Sequence, residues 1–384
     1  MKMPNRLALL FQFLLICAVV YLKLRDDSVY FLTPDSHFYL EAVQNLLSGK
    51  GYVITFEGKK TFCAIWPIGY SALIATVAFL TSFSVEIASK IVNLLALAGC
   101  FWLIQRLFRD KAWFVSLGFV ASSLIQLYTN TWSETVFILF VLEFCVFFSP
   151  SSRASQWQKE GSVIFATAAF LTRYTGVFLL IPLMLRRQYK AAFYFVVLMA
   201  GYLFFNFYHT GTFTGGHGFW PTEPFNQRLG RGMRGLGEEL LFFAVRDWDL
   251  KNLGLSDSVK WFIYGIALLQ WVLVGLIVRH VIYFLRLTKK IKINLDSMTK
   301  FILQDPFFLV AFAYLLFTIS IYLTDESIES LYFRRLAPSS LLFTLGVLAW
   351  VSQQKQLFER TKWLFVAFFA LSIIHSIPKI VLGI

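Results

Sequence analysis

The sequence predicts an all-α protein that crosses a membrane many times. Of its 384 residues, 58% are hydrophobic, 18% are aromatic and 15% are charged, and the mean hydropathy is +0.65. Soluble domains carry about 25% charged residues, so this composition excludes a water-soluble globule. The apolar residues fall in runs that suit membrane-spanning helices, because lipid offers backbone groups no other hydrogen-bond partner. The net charge of +13 comes from short basic clusters between these runs, which is typical of cytoplasmic joins and not of a nucleic-acid surface.

The N-terminal part predicts a membrane anchor followed by a long external loop. Lys2 and Arg6 precede the apolar run 7–22, which lacks a small-x-small cleavage site and is therefore expected to remain, with a cytoplasmic N-terminus. The external loop 24–66 contains an amphipathic helix at 36–48, since apolar residues recur there at helical spacing and polar residues lie on the opposite face. We expect this helix to lie flat on the membrane with its apolar side down. Among the cysteines, only Cys63 is expected to face outward, and no disulfide is expected.

The next two apolar stretches are 67–83 and 86–107. Whether one or both of them cross the membrane decides on which side the following basic residues lie. If both crossed the membrane, the basic cluster 106–111 would lie outside, against the tendency of short basic joins to be cytoplasmic. The stretch 67–83 is barely long enough to span and carries several hydroxyl side chains. We therefore expect it to be a re-entrant or interfacial piece.

The remainder of the chain predicts a regular series of crossings in one integral membrane domain, 1–384. The stretch 161–185 is broken at Arg173 and has basic residues after it, so it predicts a hairpin of two short helices with Arg173 at the tip. Loop 209–259 and loop 324–335 are expected to be external. The sum is about eleven membrane segments plus the re-entrant piece, with the other crossings at 112–130, 133–149, 191–208, 260–284, 306–323, 336–352 and 363–381.

Several ordered motifs in the first loop carry a family resemblance. They are Asp35-Ser36-x-x-Tyr39, Ala42, Asn45-Leu46-Leu47, Gly49-x-Gly51-Tyr52 and Pro67-x-Gly69-Tyr70. This series resembles the first external loop of the GT-C glycosyltransferases, in particular the protein-O-mannosyltransferase and lipid A aminoarabinose transferase branches. The resemblance implies transfer of a sugar from a polyprenyl-phosphate donor to an acceptor glycan, lipid or protein at the outer face of the plasma (inner) membrane.

Two carboxylates are candidates for the chemistry, because the acceptor hydroxyl needs a group that takes or orients its proton. Asp35 is the first, and its alternative role is the N-cap of the helix that follows Pro34. Glu134, in Trp132-Ser133-Glu134, resembles a second acidic position of the family, and its alternative role is to begin a helix. Some family members place a divalent metal between such carboxylates and the phosphate. Asp35, Glu134 and His37 form too loose a set to predict one, so cofactor use stays open.

The donor phosphate needs positive partners, and guanidinium groups match its geometry. Arg334 and Arg335 precede Pro338 in a pattern that resembles the late Arg-Tyr-x-x-Pro of the family, with Leu336 in place of the aromatic residue. Arg173 resembles the Thr-Arg of the family's broken helix pair. The alternative for these arginines is contact with lipid headgroups. Lys59 and Lys60 in the first loop are further candidates for the phosphate.

Three other functions stay open at this point. One is a non-catalytic membrane assembly subunit, whose polar external loops would be partner surfaces. A transporter or flippase of lipid-linked sugars needs matching broken helices in two halves, and the sequence shows a single broken pair. An O-antigen ligase or polymerase-like enzyme would carry its basic and catalytic residues in a large late external loop. For the glycosyltransferase, we expect the first loop, the turn 128–134 and the loop 324–335 to converge on one cavity.

Overall fold

The chain folds into a helical bundle with one small β-hairpin. The computed structural model describes residues 5–26, 31–148, 156–215, 224–240, 257–287, 304–324 and 331–378. Its longer elements are α1 (Asn5–Asp26), α2 (Pro34–Leu47), β1 (Val53–Phe56), β2 (Lys59–Phe62), α3 (Ile68–Thr81), α4 (Val85–Phe108), α5 (Ala112–Val115), α6 (Ser122–Thr129), α7 (Glu134–Phe147), α8 (Gln156–Thr172), α9 (Leu180–Leu185), α10 (Tyr189–Thr210), α11 (Phe225–Leu240), α12 (Asp257–Leu287), α13 (Pro306–Thr324), α14 (Phe333–Gln353) and α15 (Lys355–Ser376). The all-α prediction is confirmed, and the hairpin β1–β2 is the addition to it.

Contacts between helix termini define two ends of the bundle. At one end, Asn5 Nδ2 donates to Asp110 Oδ1 at 3.2 Å, and Lys111 Nζ lies 3.8 Å from the ring centroid of Phe358. We call this the basic end, because the joins 106–111, 186–190 and 355–362 meet there. At the other end, which we call the site end, α1 finishes and α2, α7 and α14 begin. The described parts of the joins predicted to be cytoplasmic and of the stretches predicted to be external thus lie at opposite ends.

The number of long apolar helices is lower than the predicted eleven segments. Within the described residues, six helices are long and apolar enough to span a membrane, namely α1, α4, α10, α12, α13 and α14. The pair α6 and α7 makes a seventh if it counts as one span, and it is bent by 117°. The predicted crossing 112–130 is not a single helix, because α5, a 3₁₀ turn (Ser116–Val120) and α6 divide it.

Helix α3 does not reach the basic end. Its 14 residues span about 21 Å at the usual rise of an α-helix, less than the thickness of a bilayer core. Tyr70 in its first turn donates to Asn93 Oδ1 at 3.2 Å, in the site-end half of α4, and the short link 82–84 returns the chain to the start of α4. A single crossing therefore joins the first loop to the basic cluster 106–111, in agreement with the prediction that 67–83 does not cross the membrane.

The predicted amphipathic helix forms at the expected residues, but its apolar side has a different environment from the one expected. Helix α2 begins at Pro34 and ends at Leu47, near the predicted 36–48. Its apolar side is covered by protein, with Tyr39, Leu40 and Val43 in one cluster with α3 and α4. The expectation that this side lies down on lipid is therefore wrong. A second cluster, between α2 and the hairpin, contains Cys63.

Cys63 lies in the first loop, outside the apolar segments as expected, but its side chain is fully buried by protein. It follows β2, and its backbone N–H donates to the carbonyl of Tyr52 at 2.9 Å. Burial raises the pKa of the Cys63 thiol, which disfavours the reactive thiolate.

The predicted hairpin at 161–185 is confirmed. Helix α8 ends at Thr172, Arg173 has an extended backbone (φ −150°, ψ 132°), and a 3₁₀ turn (Tyr174–Leu179) leads into α9. Gly176 lies against the backbone of Phe170, where an added Cβ would come within 2.6 Å of Phe170 Cα. This close approach folds the chain back on α8 and leaves Arg173 at the break.

Part of the predicted external loop 209–259 is a docked helix. Helix α11 packs against α13 and α14 at the site end, and the Tyr322 hydroxyl donates to the Arg228 carbonyl at 2.9 Å. Gly235 faces the Leu331 carbonyl so closely that any side chain there would collide with it. The stretches 216–223 and 241–256 of this loop, and 325–330 of the loop 324–335, lie outside the described residues.

Candidate functional site

Four charged side chains from separate parts of the chain meet at the site end. Arg334, in the first turn of α14, pairs through NH1 with Asp35 Oδ2 and through Nε with Glu134 Oε1. Arg173, at the break after α8, pairs through NH1 with the same Glu134 oxygen at 2.5 Å. We call Asp35, Glu134, Arg173 and Arg334 the ion-pair cluster. The structure thus brings together candidates that lie as far as 299 positions apart in sequence.

Asp35 is held in the first turn of α2 without serving as its cap. The N-cap is Thr33, whose backbone N–H donates to Ser36 Oγ at 3.0 Å, and Pro34 occupies the position after the cap. Ser36 Oγ in turn donates to the Thr131 carbonyl at 3.1 Å, which ties the start of α2 to the turn before α7. The alternative interpretation of Asp35 as the N-cap is therefore wrong, and its carboxylate is available for Arg334.

Glu134 is positioned by a turn that several buried polar groups hold from α4. Asn93 Nδ2 donates to the Asn130 carbonyl at 2.8 Å, and Lys90 Nζ donates to Thr131 Oγ1 at 2.8 Å. The turn 130–133 ends directly before α7, so Glu134 occupies the first turn of a helix, where a negative charge is favoured. Its side chain is only 1% exposed, and two guanidinium groups compensate this buried charge.

Neutral groups complete the walls of the cluster. Ser133 Oγ accepts from Arg173 NH1 at 3.2 Å and lies 3.0 Å from the hydroxyl oxygen of Tyr39. Burial raises the pKa of the Tyr39 phenol, so this group stays protonated at neutral pH. The Trp132 ring centroid lies 4.6 Å from Arg334 Cζ, a cation–π contact.

Asp35 is more exposed to solvent than the other members of the ion-pair cluster. The side chains of Glu134, Arg334 and Arg173 are 1%, 7% and 11% exposed, whereas that of Asp35 is 32% exposed. Three buried atoms of the cluster have no hydrogen-bond partner among the residues that the structure describes: Glu134 Oε2, Arg173 Nε and Arg334 NH2. A buried polar atom without a partner costs about 1–3 kcal/mol, so native sites that contain one bind water or ligand atoms there.

Arg335 differs from its neighbour Arg334. Successive residues of an α-helix point about 100° apart, so only one of two adjacent arginines can face the same partner. Arg335 is half-buried and makes no ion pair within the described residues. Arg335 nevertheless lies near Arg173 and Arg334, so three guanidinium groups and two carboxylates occupy this region, which leaves an excess positive charge.

The other candidates from the sequence lie away from the cluster. Lys59 and Lys60 are exposed on β2, where they pair with Phe56 and Thr55 of β1, and neither contacts the cluster. His37 is exposed on α2.

The cluster does not fit a metal ion between the carboxylates, because the Arg334 guanidinium lies there. Within the described residues, no three His, Cys, Asp or Glu side chains group together in a way that could hold a metal ion.

Sequence reasoning missed four side chains that build this site: Tyr39, Lys90, Trp132 and Ser133. Lys90 had a recognisable signal, since a single lysine within the apolar run of α4 is costly in a membrane and is usually functional or buried against polar groups. The other three lie in motifs that the sequence shows, but their contacts depend on packing.

Comparisons with known proteins return structural matches only. No family model matches the chain, and no curated protein matches it. The crystal structure of ArnT from Cupriavidus metallidurans bound to undecaprenyl phosphate matches with a TM-score of 0.47 and 12% identity, over 88% of this chain and 60% of that one. The apo form of the same ArnT matches with a TM-score of 0.42 and 14% identity, over 95% of this chain and 77% of that one.

ArnT is a GT-C aminoarabinose transferase, from the superfamily that the first-loop motifs resemble. This chain spans 60% of the length of the first matched structure. Because both TM-scores are below 0.5, the function proposed below rests on the geometry of the ion-pair cluster and on the sequence motifs.

Proposed function

We propose that this protein is a membrane glycosyltransferase that moves a sugar from a polyprenyl-phosphate donor to an acceptor hydroxyl. The observation that carries the proposal is the ion-pair cluster, in which a partly open carboxylate, Asp35, lies beside buried guanidinium groups with donor atoms to spare. An acid–base residue and a binding site for a leaving phosphate are the two requirements of this reaction.

In the proposed reaction, Asp35 activates the acceptor. Its Oδ2 pairs with Arg334, while Oδ1 makes no hydrogen bond within the described residues and is free to take the hydroxyl proton. The hydroxyl oxygen forms a bond to the anomeric carbon of the sugar, and the bond from that carbon to the phosphate oxygen breaks. Polyprenyl phosphate leaves with the electron pair of that bond. Glu134, which is buried and shared by two arginines, orients Arg334 and Arg173.

The positive groups are proposed to hold the phosphate. Among the described residues, Arg334 NH2 and Arg173 Nε are buried N–H donors without a partner, and Arg335 is a half-buried cation that pairs with no carboxylate. Charge-assisted hydrogen bonds from guanidinium to phosphate are among the stronger polar interactions in proteins. This arrangement stabilises the charge that develops on the leaving phosphate, which is the usual source of electrostatic catalysis.

The charge of the joins supports an external location for the cluster. The short joins 106–111, 186–190 and 355–362 are basic and lie at the end opposite to the cluster. Basic residues also occur at the site end: Arg173, Arg334 and Arg335 lie in or beside the ion-pair cluster, and Lys59 and Lys60 lie on the hairpin. The basic end is thus the cytoplasmic end, and the cluster faces the outside of the plasma (inner) membrane.

The test is a transfer assay with purified protein and a panel of polyprenyl-phosphate sugars. Undecaprenyl phosphate, the lipid bound in the matched ArnT structure, is the first carrier to use. We expect at least one donor to be consumed, with release of polyprenyl phosphate that depends on Asp35. If folded protein neither consumes any donor in the panel nor binds undecaprenyl phosphate, the proposal is wrong.

A further inference from the structure

A groove between α12 and α15 lies at the basic end, away from the ion-pair cluster. The two helices run antiparallel, since Gln270 Nε2 donates to Ser372 Oγ at 3.0 Å and Arg360 Cζ lies 5.4 Å from the ring centroid of Tyr283. The groove has a volume of about 730 Å³, which is within the range of small-molecule sites. It opens on the lateral surface of the helical bundle.

Three arginines line this groove: Arg279, Arg286 and Arg360. Arg279 and Arg286 are seven positions apart on α12, so they lie on one face about 10 Å apart along the helix axis. None of the three pairs with a carboxylate within the described residues, and the neighbouring Glu359 pairs with Lys362 instead. Among the described residues, the groove therefore presents three exposed positive charges that no carboxylate pairs with.

Apolar side chains line the same groove beside and between the arginines of α12. Leu276, Val278 and Ile282 line it and are exposed, and Gly275 leaves open space beside them. A ligand that fits must carry a negative headgroup for the arginines and hydrocarbon for these apolar side chains. A soluble anion such as inorganic phosphate would satisfy only the first requirement.

We propose that this groove binds an anionic glycerophospholipid, with its phosphate on Arg279, Arg286 and Arg360 and an acyl chain along Leu276 and Ile282. Basic pockets between membrane helices are a recognised setting for anionic headgroups. The site lies at the opposite end of the bundle from the ion-pair cluster, and its occupation does not depend on sugar transfer. Failure of this proposal and failure of the proposed activity are therefore separate results.

The experiment measures lipid binding to the full-length protein in detergent by native mass spectrometry. Phosphatidylglycerol is the probe, phosphatidylcholine is the zwitterionic comparison, and inorganic phosphate is the competitor. We expect phosphatidylglycerol to bind more tightly than phosphatidylcholine by at least about tenfold, because each basic side chain near an anionic lipid contributes roughly a factor of five. Inorganic phosphate at millimolar concentration should not displace it.

Two double variants, one in the groove and one outside it, each remove two positive charges at the basic end of the bundle. Arg279→Gln with Arg286→Gln should weaken phosphatidylglycerol binding by about 30-fold, from two contributions of that size. The control, Lys190→Gln with Lys355→Gln, removes two exposed charges outside the groove and should change binding by less than about twofold. Equal weakening in both variants, or equal binding of the two lipids, would overturn the proposal. If the groove variant unfolds, Arg286→Glu alone serves in its place and should also abolish the preference.

Discussion

Replacement of Asp35 by Asn separates catalysis from stability better than any other change in the cluster. The amide keeps the shape of the carboxylate but cannot take a proton at neutral pH, and loss of a general base typically lowers the rate by about 10²–10⁴, roughly 3–5 kcal/mol of barrier. We therefore expect Asp35→Asn to lose sugar transfer almost completely.

The same change should cost little stability. Asp35 is 32% exposed, so solvent screens its pair with Arg334, and exposed pairs contribute about 0–1 kcal/mol. Loss of a negative charge in the first helical turn adds about 0.3–1 kcal/mol. Arg334 retains its pair with the buried Glu134. The free energy of unfolding should therefore fall by about 1 kcal/mol in total.

Two further variants test whether Thr33, and not Asp35, caps helix α2. Because Thr33 is the N-cap of α2, Asp35→Ala should cost no more stability than Asp35→Asn, and the cap contribution of about 1 kcal/mol should be lost in Thr33→Ala instead. Activity is measured as release of polyprenyl phosphate from the best donor of the panel, and stability as thermal unfolding in detergent. Transfer by the Asn variant at a rate near that of the unmodified protein would refute the assignment of Asp35. A stability loss above about 3 kcal/mol would show instead that the pair is structural.

Three other predictions address the rest of the site and the orientation of the chain. Glu134→Gln should destabilise the fold by about 3–5 kcal/mol, because two buried guanidinium groups lose their shared carboxylate, and a thermal shift as small as that of Asp35→Asn would contradict this. Arg335→Gln breaks no ion pair of the described part of the chain, so it should leave thermal stability nearly unchanged while it weakens binding of undecaprenyl phosphate by about tenfold or more. Unaltered affinity in a titration would remove Arg335 from the phosphate site. Single cysteines at Asp110 and Lys59 should react with an impermeant maleimide from opposite sides of the membrane, while buried Cys63 with its raised pKa stays unlabelled until the protein is denatured. Labelling of both introduced cysteines from one side would contradict the two-ended arrangement.

The sequence by itself was sufficient for those features that lipid imposes locally. Hydropathy predicted helices because backbone groups in a membrane have no other hydrogen-bond partner. The break at Arg173 followed from an arginine within an apolar stretch and basic residues beyond it, and the structure has the break at that residue. The motifs around Asp35 and Glu134 were enough to nominate both carboxylates, and the arginine pattern before Pro338 nominated Arg334 and Arg335.

Packing alone decided what covers each surface and which partner each charge finds. A helical apolar face has the same sequence signature whether lipid or protein covers it, because lipid tails are as apolar as buried side chains. For this reason the contact of α2 with α3 and the burial of Cys63 were not predicted. Arg334 and Arg335 are equal in sequence, and only the rotation of α14 against α2 and α7 directs Arg334 to both carboxylates. That rotation depends on contacts between residues hundreds of positions apart, which local periodicity does not contain.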